Sequence, residues 1–356
     1  MKSEMTHRER IMAAVNHEQI DRLPTDYWGV AEVTGNLMKF FNVTDMLGLA
    51  KSLDIDKIMD AAPVMKPIDR SGMWDVKMRP IAVAGGLGVY DEPVSHPLAD
   101  YETIGEIEAN YVWPTVDMFD YSNIRRQCER YRNEGFAIDG GYISLTYFYT
   151  MIRGLEQMLV DFMVDEELAD YILYKINEFA AANTARILEE GNGLIDMTQV
   201  TDDFGTQCGL LMSESMIERF FGKYYESNIA MAKSYGAKIF HHDDGAITDV
   251  LPWITKKGCE ILNPIQWHLP GWDLEKVKKE YGKKLCFHGG IDNQHVLPFG
   301  SKDDVKSEVR ACIDALYSDR TGFILAPCHC IQANTPTENI LTMYDYALEY
   351  SSNFTI

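Results

Sequence analysis

Short apolar runs alternate regularly with segments of helical pattern over most of the chain. The predicted strands cover residues 25–29, 55–60, 136–139, 194–200, 238–240, 260–263, 285–288 and 323–326. Strands that alternate with helices form a parallel sheet with the helices outside it, and eight such units close into a barrel. We therefore predict an α/β fold, a (β/α)8 barrel of the TIM type. The alternative is an open doubly wound sheet, which is less favoured because no glycine-rich phosphate turn follows the first predicted strand.

Helix starts are predicted near both ends of the chain. Thr6 and Glu9 have the spacing of a capping box, which predicts an N-terminal helical extension over residues 6–16. Thr335 begins a second such box, with Pro336 at its first helical position, and this pattern predicts the start of the last helix.

The alternation of strands and helices is interrupted between the second and third predicted strands. Residues 64–132 are predicted to form an insertion over the barrel, within a single domain of residues 1–356. Inside this segment, the runs 74–79 and 89–94 flank a glycine-rich turn at 85–88, which predicts a β-hairpin. A nucleotide-binding loop is disfavoured there because the glycines lack the strand-loop-helix context that such a loop needs.

Charge and cysteine content exclude several classes of protein. The chain carries 33 basic and 54 acidic residues, a net charge of −21, which argues against nucleic acid or an anionic membrane surface as a partner. No apolar run approaches the ~18 residues of a membrane span, and the charged N-terminus lacks the apolar core of a signal peptide. Seven scattered cysteines do not resemble a disulfide framework. We expect a cytoplasmic protein, a monomer or homodimer, that acts on a small molecule.

The densest group of chemically active side chains is the segment 240–245, with two histidines and two aspartates followed by a glycine. Such groups are costly to bury and pack poorly, so a position directly after a buried strand suits ligands or proton carriers. The alternative is a solvated turn whose acids cap the next helix. Other strand ends carry the same residue types, and the active site of a barrel of this kind lies where the strands end.

The candidate residues at the strand ends fall into three groups. Predicted catalytic residues are Asp60, Asp202, Asp203, His241 and His288. Predicted substrate-binding residues are Tyr27, Trp28, Tyr147, Asn263 and Gln266. Predicted metal ligands are His242, Asp244, His329, Cys328 and Cys330. The last group suits Zn²⁺ with an open position for substrate, and a metal-free site in which these groups handle protons is the alternative.

The pattern leaves open which of these side chains face the barrel mouth. Residues two apart on a strand point the same way. Either His242 and Asp244 face the mouth together, or the alternate pair at 241 and 243 does. In the triplet 328–330, the two cysteines share one side and the histidine takes the other.

The order of these motifs resembles the uroporphyrinogen decarboxylase superfamily, which includes cobalamin-dependent methyltransferases as well as the haem-pathway decarboxylase. The resemblance covers nearly the whole chain. It rests on the motifs at residues 8–28, 202–207, 240–245, 287–292, 326–332 and 335–340. It implies a (β/α)8 barrel, in agreement with the strand count.

Within this superfamily, the resemblance favours the methyltransferase branch. The haem-pathway decarboxylases hold substrate carboxylates with an arginine-rich segment after the first strand, whereas residues 29–34 contain no arginine. Asp60 lies where those enzymes keep an aspartate near the pyrrole nitrogens, and His329 lies where they keep a histidine.

The methyltransferase branch implies a zinc site built from a His-x-Cys pair and a later cysteine. His242 and Asp244 match the pair with aspartate in place of cysteine, and His329 matches the later cysteine. These exchanges give a harder ligand set, which puts activation of a thiol in doubt but leaves a methyl-donor role open. The leading hypothesis is a methyltransferase that moves a methyl group from a small methylated or methoxylated compound to a corrinoid carried by a partner protein. The alternatives are a metal-free decarboxylase acting on a tetrapyrrole or other small acid, and a non-catalytic barrel.

Overall fold

The computed structural model of the protein describes residues 5–82 and 89–354. Its strands are β1 (Met59–Asp60), β2 (Val64–Met65), β3 (Met78–Ala82), β4 (Val89–Pro93), β5 (Phe119–Asp120), β6 (Ile138–Ser144), β7 (Met197–Thr201), β8 (Lys238–His242), β9 (Ile261–Asn263), β10 (Cys286–Ile291) and β11 (Phe323–Pro327). Its α-helices are α1 (His7–Val15), α2 (Ala31–Phe41), α3 (Met46–Ser52), α4 (Ile104–Asn110), α5 (Ile124–Asn133), α6 (Leu145–Arg153), α7 (Leu155–Val164), α8 (Glu166–Gly191), α9 (Glu214–Ser234), α10 (Leu251–Lys257), α11 (Leu274–Tyr281), α12 (Val296–Phe299), α13 (Lys302–Leu316) and α14 (Thr337–Ser351).

Seven of these strands form one parallel sheet in the order β1-β6-β7-β8-β9-β10-β11. The segment 24–29 occupies the place between the two edge strands. The backbone N–H of Asp26 donates to the carbonyl of Leu325 in β11, and the N–H of Asp56, just before β1, donates to the carbonyl of Thr25, both at 2.9 Å. The sheet therefore closes, and the predicted barrel is confirmed. The predicted first strand is not continuous, because residues 24–29 make only single bridges to β11 and the segment after it.

Burial on both faces explains why the later strands read as apolar runs. Strands β10 and β11 are buried at every position, because one face of the sheet packs against helices and the other fills the barrel. At the other end of the barrel, the buried Arg10 donates to Asp21 at 2.6 Å and to Asp56 at 2.5 Å. This pairing satisfies a charge that would be costly to bury alone.

The predicted capping box is confirmed at the first helix and is wrong at the last one. Thr6 and Glu9 form the predicted capping box of α1. At α14 the N-cap is Pro336, in an extended conformation and without a side-chain cap bond, and Thr335 makes no capping contact. The predicted box there is wrong because the proline lies one position before the first helical residue.

The segment between β1 and β6 carries two short antiparallel pairings. Strands β3 and β4 pair from Met78–Pro93 to Ala82–Val89, which confirms the predicted hairpin, although its first strand covers residues 78–82 rather than 74–79. The glycine turn of this hairpin lies outside the described residues. Strands β2 and β5 form a second pair. Helix α5 packs against α8 and β6 in the outer layer.

Among the described residues, no helix has both the length and the apolar character needed to cross a membrane.

Candidate active site at the barrel mouth

Three side chains from two strand ends converge at the mouth of the barrel. His242 is the last residue of β8, Asp244 follows it by two positions, and His329 lies just beyond β11. Asp244 Oδ2 lies 3.7 Å from His242 Nε2 and 3.8 Å from His329 Nε2. One ligand atom from each side chain lies within 4.8 Å of the other two. The structure thus selects the pair His242 and Asp244, and not the alternate pair, as the one that faces the mouth.

Hydrogen bonds to the protein satisfy only part of this group. Asp244 Oδ1 is buried and has no hydrogen-bond partner among the described residues. His242 Nδ1 lies 2.5 Å from Asn263 Oδ1, so its other nitrogen, Nε2, faces the mouth. Burial lowers the pKa of His329, although the Asp244 carboxylate acts in the opposite direction. The group therefore presents two imidazole nitrogens and a carboxylate to one point.

Two further predicted residues border this group. Asp203 is half-exposed, with its Oδ1 4.0 Å from His242 Nε2, and it accepts a hydrogen bond from the backbone N–H of Asp244 at 3.4 Å. The ring centroid of Trp28 lies 5.7 Å from that of His242 and 6.4 Å from that of His329. Asp203 thus adds a second carboxylate, and Trp28 covers one side of the two imidazoles.

A cavity of about 480 Å³ opens next to Asp203. Its lining is mainly apolar or uncharged, with Asp203 as the only charged residue. The other lining residues are Thr146, Tyr147, Thr150, Leu155, Met158, Gly205, Thr206, Gln207 and Leu211. The predicted substrate-binding residue Tyr147 therefore borders a space that reaches the metal-capable group through Asp203.

A buried lysine, which the sequence reasoning missed, lies inside the barrel. Lys57 Nζ is 3.6 Å from Asp26 Oδ1 and 3.8 Å from Oδ2 of the exposed Asp60. Burial opposes its charge, but Asp26 and Asp60 raise the pKa of Lys57 above its ordinary value. Its signal in the sequence is a lysine inside the apolar run that leads to Asp60, because the side chain of such a residue must find a counter-charge when it is buried.

The buried Asp139 lies directly opposite Asp60 in the β1–β6 pairing. Gln199 Nε2 donates to its Oδ2 at 2.6 Å, and its Oδ1 has no hydrogen-bond partner in the part of the chain that the structure describes. Burial, reinforced by Asp60, raises the pKa of Asp139 to about 8. Asp139 and Lys57 therefore form a buried polar floor inside the barrel, and the exposed side chain of Asp60 borders it.

The structure places two of the predicted catalytic residues away from the mouth. His241 is fully buried on the opposite face of β8, where its Nδ1 lies 3.1 Å from the carbonyl of Val200. Asp202 is buried and accepts hydrogen bonds from the N–H of Thr146 at 2.5 Å and its hydroxyl at 2.8 Å. The strand alternation turns both side chains outward, so neither reaches a substrate in the mouth, and we withdraw them from the site.

The prediction that Cys328 and Cys330 bind a metal ion is corrected too, because their thiols lie outside the group of potential ligands. Cys328 is buried and its Sγ donates to the carbonyl of Ile265 at 3.4 Å. Cys330 is partly buried, and burial raises the pKa of its thiol. Neither sulfur belongs to the cluster of potential metal ligands, which includes only the histidine of the triplet, His329.

Tyr27 and Gln266, which were predicted to bind substrate, use polar atoms in hydrogen bonds within the protein. Tyr27 is buried, and its hydroxyl lies 2.9 Å from that of Thr34. Gln266 Oε1 accepts a hydrogen bond from the N–H of Gly245 at 2.5 Å and so supports the turn after β8. Both side chains shape the site without reaching a ligand through these atoms.

Asn263 and His288 are both fully buried, and they stand behind His242 rather than in the mouth. The predicted catalytic role of His288 and the predicted contact of Asn263 with substrate are therefore both corrected. The cause is again packing: the aromatic rings of Trp28 and Phe240 lie 5.7 Å and 5.2 Å from the His288 ring.

The fold and the site define a (β/α)8 barrel whose mouth is lined by histidine and aspartate. Residues 140–350 match the family described as Uroporphyrinogen decarboxylase (URO-D). This match spans more than half of the chain, so the chain belongs to that enzyme family, as its motifs predicted.

Solved structures show how widely the fold is shared. A methyltransferase from Methanosarcina mazei matches with a TM-score of 0.69 at 17% identity, over 98% of this chain and 99% of that one. A B12-independent methionine synthase from Shewanella sp. W3-18-1 matches with a TM-score of 0.46 at 12% identity, over 94% of this chain and 97% of that one. The first match shows a common fold, and the second is too weak to carry an argument. A search of curated proteins finds no match.

Proposed function

We propose that this protein is a methyltransferase that moves a methyl group from a small methylated or methoxylated compound to a corrinoid carried by a partner protein. The observation that carries the proposal is the convergence of His242, Asp244 and His329 at the barrel mouth. Membership of the URO-D family, together with the likeness in fold to a methyltransferase, supports methyl transfer in general.

The residues at the mouth fit a zinc ion. Two imidazole nitrogens and one carboxylate, with a fourth position left open, make up a common ligand set of catalytic zinc. The buried Asp244 Oδ1 has no hydrogen-bond partner within residues 5–82 and 89–354, and leaving such an atom unsatisfied costs about 1–3 kcal/mol, a cost that a bound cation would remove. A ligand set without thiolate is hard, so it favours an oxygen or nitrogen atom of the substrate over a thiol.

The side chains around the ion have separate tasks in the proposed reaction. When bound, zinc supplies Lewis acidity at the atom that loses the methyl group. Asp203, half-exposed beside His242, orients the substrate or relays a proton from water to the departing oxygen or nitrogen. Trp28 packs over the imidazoles and excludes water from that side. The electron pair of the broken C–O or C–N bond stays on the oxygen or nitrogen, and the reduced cobalt of the corrinoid provides the pair for its new bond to carbon.

A second candidate function is a metal-free decarboxylase acting on a tetrapyrrole or other small acid. It is favoured by one observation, the buried Lys57, because decarboxylation needs a cation near the carboxylate that is lost. However, Asp26 and Asp60 already face Lys57 at 3.6 Å and 3.8 Å. Little of its charge is left for a substrate, so this candidate ranks second.

The two candidates differ in metal content and in product. We expect protein purified without added metal to contain about one zinc per chain, bound with protons released from its ligands. It should methylate a reduced corrinoid from at least one donor in a panel of methoxy compounds and methylamines. His242→Ala and His329→Ala should lose both zinc and activity, while Asn228→Ala, a change between two outer helices, should keep both. Metal-free protein that releases CO2 from a trial acid would overturn the proposal in favour of the decarboxylase.

A further inference from the structure

A line of hydrogen-bonded side chains runs from the barrel interior to His242. Asp26 Oδ2 lies 2.9 Å from His288 Nε2, and His288 Nδ1 lies 2.8 Å from Asn263 Nδ2. Asn263 Oδ1 in turn lies 2.5 Å from His242 Nδ1. The three residues behind His242 are each 0% exposed. The four side chains come from the segment 24–29 and from β10, β9 and β8, so the line passes inside the barrel from one side of β11 to the three strands on its other side.

The line begins at a carboxylate that can only accept hydrogen bonds. Asp26 also accepts from the backbone N–H groups of Tyr27 at 2.8 Å and Ile58 at 3.0 Å, and from the indole of Trp28 at 3.1 Å. Burial alone would raise the pKa of Asp26, but Lys57 and the bond to His288 lower it to about 2. Asp26 is therefore ionised and fixed at neutral pH, and every donor around it must point toward it.

The position of each proton follows from this first acceptor. His288 Nε2 must carry a proton to donate to Asp26, and in the neutral ring its Nδ1 is then bare and accepts from the Asn263 amide nitrogen. The amide oxygen of Asn263 is then the atom that faces His242, so His242 Nδ1 must carry a proton. A neutral imidazole has one protonated and one bare nitrogen, which leaves the lone pair of His242 Nε2 directed at Asp244 and His329.

We propose that Asn263 and His288 are positioning residues, which act through His242 and hold it in the one tautomer that can bind a metal ion at the mouth. The inference rests on the proposed function for the presence of a metal, but the tautomer itself is a property of the metal-free protein. Partners behind a ligating histidine commonly fix its ring and its tautomer, and their loss costs about 10- to 100-fold in metal affinity.

The test combines metal affinity with a direct measurement of the tautomer. The chain has nine histidines, and selective ¹⁵N labelling of histidine followed by two-bond ¹H–¹⁵N correlation distinguishes Nδ1–H from Nε2–H rings. Spectra of His242→Gln and His288→Gln assign the two relevant signals. Zinc affinity is measured by competition with a chelator. Asn228 is the matched control, because it is also a buried asparagine, with its Nδ2 donating to Asn177 Oδ1 at 2.7 Å far from the mouth.

In the wild-type protein without metal, we expect His242 as the Nδ1–H tautomer and His288 as the Nε2–H tautomer. Asn263→Ala should mix the tautomers of His242 and lower zinc affinity about 10- to 100-fold, whereas Asn228→Ala should change neither. Asn263→Asp keeps an oxygen toward His242 but removes the donor to His288. It should therefore preserve the His242 tautomer and most of the zinc affinity while it changes the His288 signals.

An Asn263→Ala protein with wild-type zinc affinity and an unchanged His242 tautomer would overturn the proposal. If that variant fails to fold, Asn263→Asp decides, because unchanged His288 signals would also overturn it. A wild-type chain that binds no zinc would defeat the proposed function instead. The tautomer of His242 in that metal-free protein would still confirm or overturn the positioning role.

Discussion

At the end of β8, the inward and the outward face each carry one histidine and one aspartate, but the two pairs have different surroundings. On the inward face, His242 Nε2 lies 3.7 Å from Asp244 Oδ2, and His329 Nε2 lies 3.8 Å from the same oxygen at the barrel mouth. On the outward face, Asp243 accepts backbone N–H bonds from Phe204 at 2.8 Å and Gly205 at 3.0 Å. His241 packs beside it with its Nε2 3.7 Å from Asp243 Oδ2, and both of these atoms are buried without a hydrogen-bond partner among the described residues. Chemistry at this strand end is therefore decided by the direction of the side chain and not by the residue type.

The largest difference between the faces should be in metal binding. Asp244→Ala removes one of three proposed ligands, so we expect zinc affinity to fall on the order of 1000-fold, about 4 kcal/mol. Asp243→Ala removes a carboxylate only one position away but on the outward face, and zinc affinity should change less than about threefold, under about 0.7 kcal/mol. Chelator competition measures both. Equal losses in the two variants would show that the faces are not functionally distinct.

Stability should respond in the reverse order. Asp243→Ala leaves the N–H groups of Phe204 and Gly205 without their acceptor inside the fold, which should cost about 2–4 kcal/mol in the free energy of unfolding. Asp244 is more exposed, and Asp244→Ala should cost less than about 1 kcal/mol in metal-free protein. Urea unfolding without zinc gives both values. A larger loss for Asp244→Ala would assign it a structural role and weaken the proposed site.

The free energy of unfolding should also depend on pH through Asp139, which lies in the polar floor of the barrel. Burial raises the pKa of Asp139 to about 8, above the 3.8 of the exposed carboxyl group, so the folded chain keeps a proton that the unfolded chain has lost. This contribution to stability is complete below about pH 4 and is lost as the pH rises through the folded value. Between pH 5 and pH 6, Asp139→Asn should gain about 1.4 kcal/mol relative to wild type. Unfolding at both pH values measures this gain, and parallel curves for the two proteins would contradict the assignment.

Much of the fold could be predicted from the sequence, because the spacing of apolar residues and the helix caps depend on residues that are close together in the chain. The strand-helix alternation predicted the barrel, and Thr6 with Glu9 predicted the start of the first helix. The first strand was harder to place because residues 24–29 make only isolated bridges. Their extended conformation is held by contacts with β11 and Asp56, which lie far away in the sequence.

The site was predictable only to the level of its residue types. Alternation shows that His242 and Asp244 share a face, but only the register of β8 against β9, with His242 opposite Asn263, shows which face is inward. Asp26 and Lys57 escaped notice because their role depends on each other and on His288, which follows Asp26 by 262 positions in the chain. Such partners become visible only when the barrel closes.

The central claim is that His242, Asp244 and His329 hold one metal ion at the barrel mouth. The most direct measurement is anomalous X-ray diffraction at the zinc edge from crystals of protein purified without added metal. The account predicts a single strong peak bonded to Nε2 of both histidines, at about 2.0–2.1 Å, and to the Asp244 carboxylate. A peak at other residues, or none at the mouth of zinc-soaked crystals, would contradict it.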